Sequence, residues 1–264
     1  MRKIFIGATC LLLLIGIAVA GFAATEESKF GGTLTAAFTA SPPTLDPHKT
    51  TNTSTQQVVA HIFEPLFAFN KDFKLEPVLV ESWEKSEDDL TYTFTLREGV
   101  KFHNGDPLTA EDAVASFNRI REMSPISGYY KEVESVEIVD DLTFRVNMKE
   151  PTNLMSSLKI QVTWQGIMPK EYAEQREELN TDELFGTGPY ELEEWQPGTK
   201  IVLTRFEDYK SPEGEASGFA GKKVPYLDKI VINPVKEVGT RVAGLQTGKY
   251  DYAASLPTTK YNTI

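Results

Sequence analysis

Short stretches of alternating apolar and polar residues recur along the chain, and each is typical of a half-buried β-strand. The clearest is TYTFTL at residues 91–96, in which every second side chain is apolar. Turn-forming residues at 88–89, 140–141 and 196–198 separate paired stretches and predict three hairpins. The predicted hairpin arms are 83–86 with 90–96, 135–139 with 142–148, and 190–195 with 200–206. Further strands are expected at 34–38, 66–69 and 227–235, and from residue 250 onwards.

Apolar residues at helical spacing mark a second set of segments, at 55–63, 153–160, 169–176 and 238–247. Gly248 is expected to stop the last of them. Thr109 and Asp112 have the spacing of a capping box, which predicts another helix that begins there. Its inward stripe is expected to be Val114, Phe117 and either Ile120 or Arg121. Helices scattered among hairpins indicate an α/β fold with mixed sheets.

The first 23 residues have the pattern of a secretory signal peptide. Two basic residues precede an apolar run over residues 4–20, and small residues at Ala20 and Ala23 suit cleavage. A membrane anchor is the alternative, because the run approaches the roughly 17 residues that can span a bilayer. Cys10 lies inside the run rather than after it, so we expect no lipid attachment and an exported mature chain without a membrane span.

Composition and charge remove several classes of partner. Asp and Glu number 38 against 27 Lys and Arg, which gives a net charge of −11 over 264 residues. An acidic surface repels phosphate backbones and anionic membranes, so no nucleic-acid partner is expected. The single cysteine excludes both a disulfide framework and a cysteine-rich metal site.

The sequence nominates no catalytic centre. His48, His61 and His103 share no metal-ligand spacing, and we expect His61 on a helix surface and His103 at a strand end. Gly186 and Gly188 resemble a phosphate loop only superficially, since a strand follows where a helix N-terminus is needed. Two acid pairs fall at hairpin turns, where solvated carboxylates are expected, so a secreted hydrolase is disfavoured. No metal or other cofactor is expected.

Four aromatic residues lie at the edges of predicted elements, outside the core periodicity: Tyr129, Tyr130, Trp164 and Trp195. Tyrosine and tryptophan combine a large apolar surface with a hydrogen-bond donor, which suits a site that holds a flexible organic ligand. Packing in or around the core is the alternative for each of them.

Seven short motifs follow one another along the chain. They are SPPTLDPH (41–48), FEPL (63–66), PVLVESWE (77–84), YTFTLREGVKFHNG (92–105), LTAED (108–112), GTGPY (186–190) and GKYD (248–251). In order and spacing they closely resemble the bacterial extracellular solute-binding proteins of family 5, the peptide-, oligopeptide- and nickel-binding components of ABC importers. The resemblance extends from about residue 31 to the last residue.

The resemblance implies a periplasmic-binding-protein fold of type II, cluster C. One lobe would consist of a discontinuous core domain, residues 31–66 and 185–264, with an α/β subdomain, residues 67–184, inserted in it. Members of the family continue for roughly as many residues again, so the second lobe is expected to be absent from this chain. Because such proteins hold the ligand between two lobes, one lobe would offer about half of the contact surface.

The function implied by the resemblance is capture of a solute in the periplasm and its delivery to an ABC permease, without catalysis. Peptide-binding relatives contact the ligand backbone in the loop after the first strand, which corresponds to Asn52, Thr53 and Ser54. The tyrosine after the capped helix corresponds to Tyr129, with Tyr130 as the alternative. A monomer that binds peptides is expected; an oligosaccharide ligand and a binding-incompetent fragment are the alternatives.

Overall fold

The computed structural model describes residues 30–159, 165–175 and 177–259. The predicted signal peptide, residues 1–23, lies outside the described residues, as does Trp164. Among the helices of the described ranges, none has both the length and the apolar character that a membrane span requires.

A five-stranded mixed sheet is assembled from distant parts of the chain. Its strand order is β11-β1-β10-β9-β8, and β1 (Thr33–Phe38) is parallel to both of its neighbours. The other strands are β8 (Tyr190–Gln196), β9 (Lys200–Arg205), β10 (Lys229–Pro234) and β11 (Tyr252–Ala253). The predicted third hairpin is therefore confirmed, since β8 pairs with β9 in antiparallel register.

A second, four-stranded sheet is antiparallel throughout and comes from one continuous stretch. Its order is β4-β5-β7-β6, from β4 (Val80–Lys85), β5 (Thr91–Leu96), β6 (Val133–Ile138) and β7 (Thr143–Met148). The alternation in β5 is confirmed, because Tyr92, Phe94 and Leu96 are all buried. A two-stranded ribbon, β2 (Phe67–Phe69) and β3 (Leu75–Pro77), precedes this sheet. The apolar pattern does not predict β3, which is only three residues long and ends in proline.

Five α-helices occur in the described ranges: α1 (Thr53–Val59), α2 (Ala110–Met123), α3 (Leu154–Leu158), α4 (Lys170–Ala173) and α5 (Val238–Gln246). The capping box of α2 is confirmed, with the Thr109 N–H donating to Asp112 Oδ2 at 2.9 Å. Gly248 ends α5 as predicted, at a φ of +70° that glycine adopts without strain. The predicted helix 55–63 begins two residues earlier and ends at Val59.

Two clusters of buried apolar residues underlie the two sheets. The antiparallel core surrounds the four-stranded sheet and takes Phe117 and Ile120 from α2. The mixed-sheet core packs α1 against the five-stranded sheet. Six buried members cross the boundaries expected for an inserted subdomain. The mixed-sheet core contains Met168, Ala173, Leu179 and Leu184, and the antiparallel core contains Leu66 and Ala220. The division of the chain into domains therefore stays a prediction.

The inward face of α2 differs from the prediction at one important position. Phe117 and Ile120 are buried as expected, but Arg119 is buried completely. Arg121 is half-buried and donates to the carbonyl of Val133. An apolar stripe cannot reveal a buried arginine, because its burial depends on a partner far away in sequence.

Candidate functional site

The three parallel strands β10, β1 and β11 end at the same edge of the mixed sheet. The connection from β10 to β11 runs through α5 and places β1 between them. Ligands of open α/β sheets bind outside the carboxyl ends of the strands, where connections diverge to the two sides. This edge is therefore the candidate site.

One buried arginine caps the carboxyl ends of β10 and β11, the strands on either side of β1. Arg241 in α5 donates, over distances between 2.7 and 3.2 Å, to the carbonyls of Val235, Lys236, Ala254 and Ser255. The middle strand is different. Thr39 and Ala40, which follow β1, make no backbone hydrogen bond to any residue in the described ranges. Thr39 is half-buried and Ala40 is exposed, so the middle of this edge presents open backbone groups.

The start of α1 is connected to the same edge. Asn52 is the N-cap, and its Oδ1 accepts the Ser54 N–H at 2.9 Å. Ser54 Oγ lies 2.7 Å from that same Oδ1 and 3.3 Å from the Ser41 carbonyl. Ser41 Oγ accepts the N–H of Gly198, in the β8–β9 turn, at 3.0 Å. The loop after β1, the first turn of α1 and a hairpin turn are thus held together, with Thr53 exposed.

Two aromatic side chains lie near this edge. Tyr252 of β11 is half exposed and meets the ring of Phe38, the last residue of β1, edge-on at 6.1 Å. The sequence predicts Tyr252 only as part of a strand, because its contact with Phe38 depends on the parallel pairing of β1 and β11. Trp195 lies opposite Ile201 at the end of β8, packed against the mixed-sheet core. Its Nε1 is buried and has no hydrogen-bond partner in the described ranges.

A buried ion pair anchors the loop that follows β1. Arg119 and Asp46 are both fully buried, and the guanidinium donates to the two carboxylate oxygens at 2.9 and 2.5 Å. The N–H groups of His48 and Leu179 also donate to this carboxylate. Burial raises the pKa of Asp46, but the hydrogen bond and charge of Arg119 outweigh it, and the pKa lies below its usual value.

The histidines in this part of the molecule are held neutral. Burial, and then the charge of Arg119, lower the pKa of His48 to about 4, and its Nε2 lies 2.9 Å from the Gly166 carbonyl. Burial likewise lowers the pKa of His103 to about 4. His61 does not lie on an open helix surface as expected; it is half-buried beside Tyr190, and burial lowers its pKa. Among the described residues, no cluster of acidic, histidine or cysteine side chains has the arrangement of a metal site.

The residues predicted to contact ligand do not all come together. Asn52, Thr53 and Ser54 lie at the candidate edge, as described above. Tyr129 and Tyr130 form part of a 3₁₀ turn, Ser127–Tyr130, on the antiparallel core. Tyr129 is 55% exposed, whereas Tyr130 is buried against Phe117 and burial raises its pKa. No hydrogen bond or ring contact joins either tyrosine to residues 52–54, and Trp164 is outside the described residues. The ligand-binding roles of all six stay predictions.

Comparison with known proteins decides the family. The model described as "Bacterial extracellular solute-binding proteins, family 5 Middle" matches residues 74–264, well over half of the chain. The chain belongs to this family. The expected fold class is thereby confirmed, an α/β structure with mixed sheets like that of one lobe of a family 5 binding protein.

Relatives of this family 5 chain agree. The glutathione-binding protein GsiB of Salmonella paratyphi A is 32% identical over 217 residues, 81% of this chain and 40% of the relative. The periplasmic binding protein DppA of Helicobacter pylori, solved with the peptide STSA, has a TM-score of 0.75 and 28% identity over 90% of this chain and 49% of its own. MoaA from A. tumefaciens R10, solved with mannopinic acid, has a TM-score of 0.70 and 31% identity over 83% and 44%.

The chain spans about 40% of the length of the curated relatives that it matches. The range matched by the family model, residues 74–264, includes the antiparallel sheet and the strands β8 to β11. The names of those relatives state what much longer proteins bind. The ligand and the partners of this chain are therefore proposals.

Two of the motifs that carry the resemblance prove to be structural. Glu64 of FEPL is fully buried and accepts hydrogen bonds from Lys223 Nζ (2.7 Å), Tyr209 Oη (2.8 Å) and Thr187 Oγ1 (3.2 Å). Thr187 belongs to GTGPY, so the two motifs are in contact. Gly186 in GTGPY lies so close to the end of the α1 segment that a Cβ there would be 2.0 Å from the Ile62 carbonyl oxygen. The glycine is needed for this close backbone approach, not for phosphate binding.

Proposed function

We propose that this chain supplies one lobe of an exported solute-binding protein that captures peptides, or small solutes with peptide-like groups, and delivers them to an ABC permease. The chain holds its solute without altering it chemically. The open backbone of Thr39 and Ala40, between two strand ends that Arg241 closes, is the observation that supports this most directly.

Open main-chain groups at a sheet edge suit a ligand that is itself an extended backbone. A peptide can add N–H and carbonyl pairs to such a segment, and water can fill the pockets around its side chains. Main-chain hydrogen bonds are the same for every residue type, so selectivity for peptide sequence is expected to be loose. Tyr252, half exposed at this edge, offers a flat apolar surface for a ligand side chain.

The relatives support a peptide-like ligand. One is named for glutathione, a tripeptide, and another was solved with a tetrapeptide. A third was solved with mannopinic acid, so a carboxylate-bearing solute of another class is the alternative. The predicted signal peptide supports export of the mature chain to the periplasm, where a permease would receive the solute.

The test is calorimetric titration of the purified chain with Ser-Thr-Ser-Ala and with glutathione. We expect saturable binding of at least one of them, with no chemical change in the recovered peptide. Ala40→Pro removes one N–H from the open segment, and Ala40→Ser keeps it. Loss of one hydrogen bond predicts about tenfold weaker binding by the proline variant. The serine variant keeps this N–H, so its affinity is expected to be unchanged.

Thermal melting followed by circular dichroism checks that both variants fold. Equal affinities for the two variants would contradict backbone pairing at residues 39–40. A cooperative melt without any saturable response would show that this chain alone does not bind, and hydrolysis of the peptide would overturn the proposal.

A further inference from the structure

A cleft of about 510 Å³ lies in the antiparallel part of the molecule, away from the edge of the mixed sheet. The ribbon β2–β3, the hairpin β4–β5 and the helix α3 contribute residues to its walls. Its volume is within the range of roughly 300–1,000 Å³ that is usual for small-molecule sites. Neither the predicted ligand contacts nor the family motifs assign a function to this cleft.

Stacked aromatic rings form one wall of the cleft. Trp83 is 41% exposed, and its ring stacks with Tyr92 at 6.5 Å and an interplanar angle of 22°. Tyr92 is buried, and its hydroxyl donates to the Thr152 carbonyl at 2.9 Å, so this ring is fixed in place. The edge of Phe67 also meets Trp83. The wall is therefore a rigid apolar surface that is already formed without a ligand.

Phe73 adds another aromatic ring to the cleft, although neither its exposure nor its backbone conformation favours the stability of the fold. The side chain is 83% exposed, and its backbone has a φ of +57°. A bulky residue in the left-handed region costs about 1–2 kcal/mol, and an exposed ring recovers none of it by packing. The turn around it is ordered, since the Asn70 side chain accepts the N–H groups of Asp72 and Lys74. Exposure and strain together at a cleft wall are typical of a residue kept for binding.

The charge of the cleft is opposite to that of the whole chain. Its lining carries Lys74, Lys85 and Lys159 against a single acid, Asp89, which is paired with Lys85. Lys74 and Lys159 form no ion pair with any described residue. In a chain of net charge −11, this concentration of cations beside stacked rings is a local exception.

A second cleft, across the β2–β3 ribbon, shows the contrast. It has about 410 Å³ and is lined by Glu76, Glu81, Glu213 and Glu215. Its one arginine, Arg97, is occupied by the carbonyls of Val78, Lys210 and Ser211. The ribbon thus separates an aromatic, cationic cleft from an acidic one.

We propose that the aromatic cleft binds a small amphipathic anion, with an aromatic or aliphatic body against Trp83 and Phe73 and one carboxylate, sulfonate or phosphate group near Lys74 and Lys159. An apolar wall with a few placed charges is the usual composition of a small-molecule site. This site is independent of the proposed peptide-binding edge, and either can fail without the other.

The test is a titration of the 264-residue chain with naphthalene-2-sulfonate, followed by the NMR signal of the Trp83 indole N–H, which Trp83→Phe assigns. Saturable shifts are expected with this anion and none with naphthylmethylammonium, a cation with the same ring system. The double variant Lys74→Gln/Lys159→Gln is expected to weaken binding about fivefold, the effect of two exposed charge pairs. Lys131→Gln removes an exposed lysine elsewhere and is expected to change nothing.

Phe73→Gly separates binding from folding. It relieves the positive φ, so the unfolding midpoint is expected to stay or rise, while the affinity for the probe falls about threefold with loss of the ring contact. Equal binding of the cationic probe, equal weakening by Lys131→Gln, or unchanged affinity in Phe73→Gly would each overturn the proposal. So would concentration-dependent self-association that Trp83→Phe abolishes, since the wall would then be an interface between copies of the chain.

Discussion

The two sheets of this chain are built in different ways. In the antiparallel sheet, every strand comes from residues 80–148. In the mixed sheet, β1 pairs with β10, so that Thr33 lies opposite Lys229. Charged side chains with one or both partners buried connect distant segments on this side of the molecule: Asp46 with Arg119, Glu64 with Lys223, and Arg241 with the carbonyl of Ala254. One sheet is specified mainly by near neighbours, and the other by polar contacts between distant segments.

The difference between the two sheets indicates which part of the molecule must hold its side chains and loops in accurate positions. Apolar packing is non-directional, whereas a hydrogen-bonded ion pair fixes two groups to within tenths of an ångström. The loop after β1 carries the proposed ligand contacts, and Asp46 attaches it to Arg119 on α2. We interpret the buried charges as devices that hold this loop in one position, a role that such groups have in some proteins.

Arg119→Met is the variant with the largest expected effect on this comparison. It leaves the Asp46 carboxylate buried without its cation, which is expected to lower the free energy of unfolding by about 3–5 kcal/mol. Hydrogen exchange should show the loss first in β1 and β10, with β5 and β7 still protected. Guanidinium unfolding and amide exchange measure the two effects.

Asp46→Leu combined with Arg119→Met is the matched control, since it removes both charges and should recover part of the lost stability. Equal loss of protection in both sheets of Arg119→Met would break the comparison, because the two regions would then unfold as one unit.

Lowering the pH provides the second test of this comparison, with a smaller expected effect on the free energy of unfolding. The histidines with lowered pKa values contact the mixed-sheet side of the molecule, and the pKa of His48 is about 4 in the folded chain against about 6.5 when unfolded. The unfolded chain therefore binds more protons as the pH falls below 6.5. Stability is complete above that pH and decreases towards pH 4, by up to about 3 kcal/mol for His48. Urea unfolding at a series of pH values measures this slope.

His48→Gln retains a donor for the Gly166 carbonyl but does not titrate, so its stability should depend less steeply on pH between 6.5 and 4. Asp46, whose pKa is lowered, adds a loss of stability only below its usual pKa of 3.8. A free energy of unfolding that stays constant between pH 7 and 4.5 would show that the buried histidines do not weaken the mixed sheet in acid.

The same contrast explains what could be predicted from the sequence. TYTFTL, the three hairpin turns and the capping box of Thr109 act over a few residues, and the structure confirms them. The parallel pairing of β1, the burial of Arg119 and the closing of two strand ends by Arg241 depend on partners in distant parts of the chain. Of the predicted ligand contacts that the structure describes, residues 52–54 fall at the candidate edge, whereas Tyr129 and Tyr130 do not, although the family resemblance suggested both groups.

A pair of glycine substitutions gives the smallest expected effect and the sharpest test of rigidity. Gly186→Ala places a Cβ 2.0 Å from the Ile62 carbonyl oxygen, where the chain returns from the antiparallel part to the mixed sheet. We expect a loss of about 1–3 kcal/mol, the usual cost of overpacking. Gly239→Ala, in α5, meets nothing within 4 Å and should be neutral or stabilising by up to about 1 kcal/mol. Both variants replace glycine with alanine, and their urea unfolding midpoints are expected to shift in opposite directions. A neutral Gly186→Ala would mean that the backbone at this junction moves aside easily, and the mixed sheet would then not need the positional accuracy that its buried charges were inferred to supply.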